Sequence, residues 1–144
     1  MNMGIDFPKK LAAAYNAVCK PLCRELNIPQ TAFDILMFLA NNPENRTAKD
    51  ICTMRRLKPG IVSLHVDTLV TLGFLERKSV PGDRRKLHLE PTEKASSIIA
   101  RGRQMHERFA QTLAQGLSPE ELSCFARCME TISQNLERAA TGME

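Results

Sequence analysis

The sequence contains no tryptophan and a single tyrosine, so it offers no aromatic platform on which unpaired bases could stack. No uninterrupted apolar run approaches the ~18 residues that a membrane span requires. The opening stretch, MNMGIDFPKKLAAAYNAV, carries Asp6 and no apolar h-region, which predicts no signal peptide and a cytoplasmic location. Five cysteines are few and odd in number, which argues against a disulfide scaffold. Repeats, low-complexity tracts and Gly/Ser-rich linkers are also missing, and only the ends, MNMGID and ATGME, are expected to fray. There is no Ser/His/Asp order, no glycine-rich phosphate loop and no pair of carboxylates in an apolar setting. The chain is therefore expected to be no enzyme and to need no cofactor.

What remains is a chain of 144 residues, long enough for one subunit with a buried core at 43% hydrophobic content. Its positive excess is mild, 20 Lys and Arg against 16 Asp and Glu, so the placement of the charge matters more than its sum.

The first half reads as helix. Leu11, Tyr15, Val18, Leu22 and Leu26 recur at helical spacing, with Pro21 expected to kink or end that helix. A second helix places Phe33, Leu36, Met37 and Ala40 on one face before the NNPEN stop. A short third helix opens on a Thr47–Asp50 capping box and should turn Ile51 and Met54 inward, with Cys52 in the core. A fourth runs from Pro59, suited to a first helical position, to Leu72, where Gly73 suits the stop. Its buried stripe is Val62, Val66, Leu69 and Val70, and Gly60, Ser63, Leu64, Asp67 and Thr71 form the opposite face. Two short helices joined tightly, the second showing small and polar side chains, form a helix-turn-helix signal.

FLERKSV and RKLHLE then flank the turn residues PGD as two strands of a hairpin. In the second strand Leu87 and Leu89 share a face, opposite Lys86, His88 and Glu90. Helix-turn-helix followed by a hairpin is the winged-helix order, and it sets Asp83, Arg84, Arg85 and Lys86 at the wing tip. Two more helices close the chain, the first after Thr92 as N-cap. The second begins with a capping box, Ser118 to Glu121, and carries Leu122, Phe125, Met129, Ile132 and Leu136 in a heptad seam that calls for a partner helix.

From Ile28 to about Arg103 these residues resemble the MarR family of winged-helix transcriptional regulators. The stretch HVDTLVTLGFLERKSVPGDRRKLHLEPTEKA carries the resemblance through Val66-Asp67-x-Leu69, Gly73-Phe74-x-x-Arg77, Asp83-Arg84-Arg85 and Leu87-x-Leu89 leading to Thr92. The resemblance implies a mainly α fold: a winged helix-turn-helix over 28–92 with a small β-hairpin wing, and a helical dimerisation region from 1–27 and 93–144. It also implies a homodimer that sets two lobes on a pseudo-palindromic operator in double-stranded DNA, acts as a repressor, and is relieved by a small-molecule effector or by thiol oxidation. Arg85 matches the arginine that enters the minor groove, Asp83 the aspartate that fixes the wing, and Arg77 the arginine at the entry of the first wing strand. Pro59, Gly60, Ile61, Ser63 and Leu64 match the part of the recognition helix nearest the major groove.

Charge placement agrees with that reading. Arg55, Arg56 and Lys58 precede the recognition helix, where phosphate contacts belong, and Arg77, Lys78, Arg84, Arg85 and Lys86 lie on the wing. Leu64 stands where the family often has Arg or Lys, which leaves the helix without an arginine to read guanine. Ser63 and His65 can hydrogen-bond to bases or phosphates, and Ile61 or Leu64 can meet a thymine methyl. The apolar outer face also keeps open a protein-interaction module.

Cys19 with Cys23, and Cys124 with Cys128, each place two thiols one helical turn apart. They fit three readings: buried small hydrophobes, a redox switch, or a zinc site. His65, His88 and His106 have no metal-ligand spacing among them, and His106 is a candidate lining residue for an effector pocket.

Overall fold

The computed structural model describes residues 6–142, so most of the two ends expected to fray lie outside the described residues. The elements run α1 (Phe7–Leu26), α2 (Gln30–Asn41), α3 (Ala48–Arg55), α4 (Pro59–Thr71), β1 (Leu75–Val80), β2 (Asp83–Pro91), a 3-10 turn (Glu93–Ala95), α5 (Ser96–Ala114) and α6 (Pro119–Thr141). The fold is mainly α with a two-stranded antiparallel wing. The chain forms two compact units, the first ending at Phe109 and the second starting at Ala110. No helix among the described residues is long and apolar enough to cross a membrane.

The core of the first unit centres on α2, whose Phe33, Ile35 and Leu36 are wholly buried. Ile51 of α3, Val62 and Leu69 of α4, and Leu75 of β1 close on it, with Cys19 and Leu22 of α1 and Ile98 of α5 in the same cluster. Each such side chain stabilises the fold by about 1.5–3 kcal/mol through its removal from water.

Pro21 neither ends nor divides α1, which continues five residues further to Leu26. A proline inside a helix leaves the carbonyl four residues back without its donor. Here Pro21 and Ala17 are both exposed, so that carbonyl faces water, while Leu22 and Cys23 beyond it are buried and favour continuation. The α3 capping box forms, with Thr47 Oγ1 accepting from Asp50 N at 3.1 Å and Asp50 Oδ2 from Thr47 N at 2.9 Å. Met54, expected inward, is instead 55% exposed, since Ile51 alone of α3 is fully enclosed. Cys52 is half-buried against the core.

Gly73, at φ +79°, ends the α4 region in the left-handed conformation a side chain disfavours. Thr92 does not cap the following turn with its side chain. Its hydroxyl donates to the Gly73 carbonyl and its N–H to the Phe74 carbonyl, fastening the far end of the wing to its start. In the second unit α6 opens on the Ser118–Glu121 capping box.

Candidate nucleic-acid interface

The helix expected to be the recognition helix is α4. Lys58 is its N-cap residue and Pro59 its first residue, so the missing proline N–H costs nothing. Val62, Val66 and Leu69 anchor it to the core, which commits the opposite side to solvent. On that side Ile61 is 42% and Leu64 59% exposed, and Gly60, Ser63 and Asp67 are exposed as well. His65 lies off this face, half-buried, with its Nδ1 enclosed and without a hydrogen-bond partner.

The wing departs from a simple hairpin. Leu75 to Ser79 pair in register with Pro91 back to Leu87, and then Val80 pairs with Asp83. Arg84, Arg85 and Lys86 therefore have no opposite residue on β1: they form a three-residue bulge beside the Pro81-Gly82 turn rather than the tip itself. A bulge bends and twists its strand and re-aims its side chains. Asp83 Oδ1 accepts from the Arg85 backbone N–H at 3.0 Å, which ties the bulge to its own start.

These charges divide into two groups. Arg77 pairs with Asp67 of α4, and Lys78 with Glu90 at 2.7 Å, while Glu90 also receives Arg46 at 3.0 Å. Lys86 lies near Asp50, where it adds to the two Thr47 hydrogen bonds that hold that carboxyl below its ordinary range. Arg77 thus fastens the wing to α4, Lys86 ties it to α3 and Arg46 to the loop before α3, while Lys78 links the two wing strands. The Leu89 N–H adds to the loop connection by donating to the Arg46 carbonyl at 2.7 Å. Arg55, Arg56, Lys58, Arg84 and Arg85, by contrast, are exposed. Among the described residues none of the five forms an ion pair or side-chain hydrogen bond. Three lie from the last residue of α3 to the N-cap of α4 and two on the bulge, so unengaged guanidinium and ammonium groups stand at the start of α4 and on the wing. Leu87 is 44% exposed, while Leu89, expected on the same face, is buried. Leu87 lines a cleft of about 410 Å³ with Cys52, Ser63 and Val66.

The cysteines fall into unlike settings. Cys19 and Cys23 are buried. Burial, above all, raises both thiols, Cys23 to about 11 with Cys19 and Asp34 adding to it. Cys124 and Cys128 are exposed on α6. Among the described residues no group of three or more His, Cys, Asp or Glu is disposed to hold a metal ion.

One polar cluster has no counterpart in the sequence motifs. The Tyr15 hydroxyl donates to Asp34 Oδ1 at 2.6 Å and lies 3.0 Å from His106 Nε2. With its one proton committed to Asp34, the hydroxyl oxygen accepts from His106, so Nε2 carries the hydrogen. Burial, followed by the bond to Asp34, raises the Tyr15 phenol above its ordinary range. The lone tyrosine at a stripe position was the available signal; its partners lie 19 and 91 residues away.

The comparisons with known proteins fit this geometry. Residues 26–86 match the family model described as MarR family. None of the curated proteins compared with the chain matches it. Among solved structures, a MarR protein from Peptoclostridium difficile is similar with a TM-score of 0.84 at 19% identity, over 100% of this chain and 93% of that one. A putative MarR family transcriptional regulator from Listeria monocytogenes, solved with 26mer DNA, also reaches 0.84, at 16% identity over 100% and 98%. Wild-type MarR in its apo form from E. coli reaches 0.67, at 20% identity over 87% and 90%. The sequence match to the MarR family model thus spans the winged helix, and the likeness in fold to MarR structures runs along the whole length of the chain.

Proposed function

We propose that the protein is a homodimeric, cytoplasmic repressor that binds a pseudo-palindromic operator in double-stranded DNA and leaves it when an effector or a thiol oxidant alters lobe geometry. The observation that carries the DNA-binding part is the set of five exposed, unengaged cations, Arg55, Arg56 and Lys58 at the start of α4 and Arg84 and Arg85 on the wing bulge. A duplex presents closely spaced phosphates, and each cation that neutralises one releases condensed counterions. Guanidinium groups on a narrow bulged hairpin suit the minor groove, and the exposed face of α4 suits the major groove. The DNA in the Listeria neighbour supports the same reading.

The homodimer rests on α6. It has no buried residue, and Leu122, Phe125, Met129 and Leu136 are exposed at heptad spacing. Such a seam is stable in water once a second copy of the chain covers it. Relief by oxidation would act through Cys124 and Cys128, which flank that seam, since the raised Cys19 and Cys23 thiols are poor nucleophiles at neutral pH. Selection of bound sequences from random duplexes tests the proposal. Two inverted half-sites with centres about one helical turn apart are expected, and failure to enrich any sequence, or a single unpaired half-site, would overturn it.

A further inference from the structure

We infer that α4 reads its operator through thymine 5-methyl groups, so that the bases facing Leu64 and Ile61 in each half-site are thymines of A·T pairs. The inference rests on the DNA-binding reading above and specifies its chemistry. On the exposed face of the first turns of α4 the groups able to hydrogen-bond to a base are few. Asp67 is held by Arg77. The Thr68 hydroxyl donates back to the Leu64 carbonyl at 3.1 Å. His65 lies off the face with an enclosed Nδ1. Ser63 is left, at the edge of the cleft shared with Leu87.

Leu64 is the most exposed large side chain there, at 59%, with Ile61 beside it at 42%. One turn before Leu64 stands Gly60, where an added Cβ would meet nothing within 4 Å. The helix surface is therefore low at Gly60, and Leu64 is the projecting group. In the major groove each base pair shows a distinct edge, and the one apolar group among those edges is the thymine methyl. Guanine, adenine and cytosine edges carry donors and acceptors that a leucine would strip of water without replacing it. Arg55, Arg56 and Lys58 at the start of the helix, and Arg84 and Arg85 on the bulge, supply the phosphate contacts that would hold this apolar face in the groove. Affinity would then come from the flanks and base preference from the apolar centre.

The test uses the duplex recovered from random-sequence selection and the same duplex with each half-site thymine replaced by uracil, which keeps base pairing and the O4 acceptor but lacks the methyl. Uracil is expected to weaken binding about fourfold for each methyl contacted, the effect of burying one apolar carbon. Leu64→Ala should bind the thymine duplex more weakly and distinguish it less from the uracil duplex, and Leu64→Ala with Ile61→Ala should no longer distinguish the two. Both residues are exposed, so the variants should melt like the parent protein. Equal affinity of the parent for both duplexes would overturn the inference, as would a uracil penalty that persists in the double variant. Failure to bind any duplex at low salt would instead remove the DNA-binding reading beneath it.

Discussion

Arg77 on the first wing strand forms an ion pair with Asp67 on the outward face of α4. The pair joins wing to helix and screens the one carboxylate on a face otherwise suited to a polyanion. Both partners are substantially exposed, so its share of folding stability is small, about 0–1 kcal/mol.

Its loss should therefore appear in binding. Arg77→Ala leaves Asp67 uncompensated against phosphate and is expected to weaken duplex affinity by roughly fivefold, about 1 kcal/mol, with little change in urea midpoint. Adding Asp67→Asn should recover part of the loss. If anisotropy titrations show no recovery, Arg77 contacts DNA directly and the pair has no screening role.

Arg85→Ala should lower affinity and reduce the slope of log K against log salt by about 1. Asp83→Ala, which removes the acceptor for the Arg85 N–H, should weaken binding less and leave the slope nearly unchanged, because the charge remains while its placement loosens. Equal slopes for parent and Arg85→Ala would contradict the assignment of the bulge to the DNA backbone.

Much of this arrangement was legible in the sequence, because it depends on local rules. The Thr47–Asp50 and Ser118–Glu121 boxes, Pro59 at a helix start, Gly73 at a helix stop and the two strands flanking the wing turn all appear where the spacing places them. Tertiary contacts decided the rest. Pro21 is carried through by the burial of Leu22 and Cys23 beyond it. The bulge at Arg84–Lys86 follows from a pairing register that alternation cannot reveal. Whether a wing cation is free or tied depended on partners such as Asp67, Asp50 and Glu90, distant in sequence.

The buried thiols give a pH prediction. A thiol whose folded pKa is raised holds its proton more tightly in the folded state. Its contribution is then full below the unfolded thiol pKa and is lost as pH rises. For Cys23, raised to about 11 from 9.0, thermal stability should fall between about pH 9 and pH 11, and Cys23→Ala should remove part of that fall. At pH 7.5 an alkylating reagent should modify Cys124 and Cys128 well before Cys19 and Cys23. Peptide mapping that finds Cys23 labelled first would contradict this placement.

Gly102 of α5 packs closely against α2. A Cβ there would lie 2.5 Å from Met37 Sδ and 3.1 Å from Phe33 Cζ, both on buried side chains of α2. Gly102→Ala should gain about 1 kcal/mol of helix propensity yet lose more to overpacking, for a net destabilisation of roughly 1–2 kcal/mol. An unchanged or raised denaturation midpoint would show that Met37 yields freely.

The central claim is that the cations around α4 and on the wing bulge engage duplex DNA. Its most direct test is a fluorescence-anisotropy titration of the protein against mixed-sequence duplex at two salt concentrations. Binding at low salt that weakens steeply at the higher concentration is the predicted result, and no binding at low salt would contradict it.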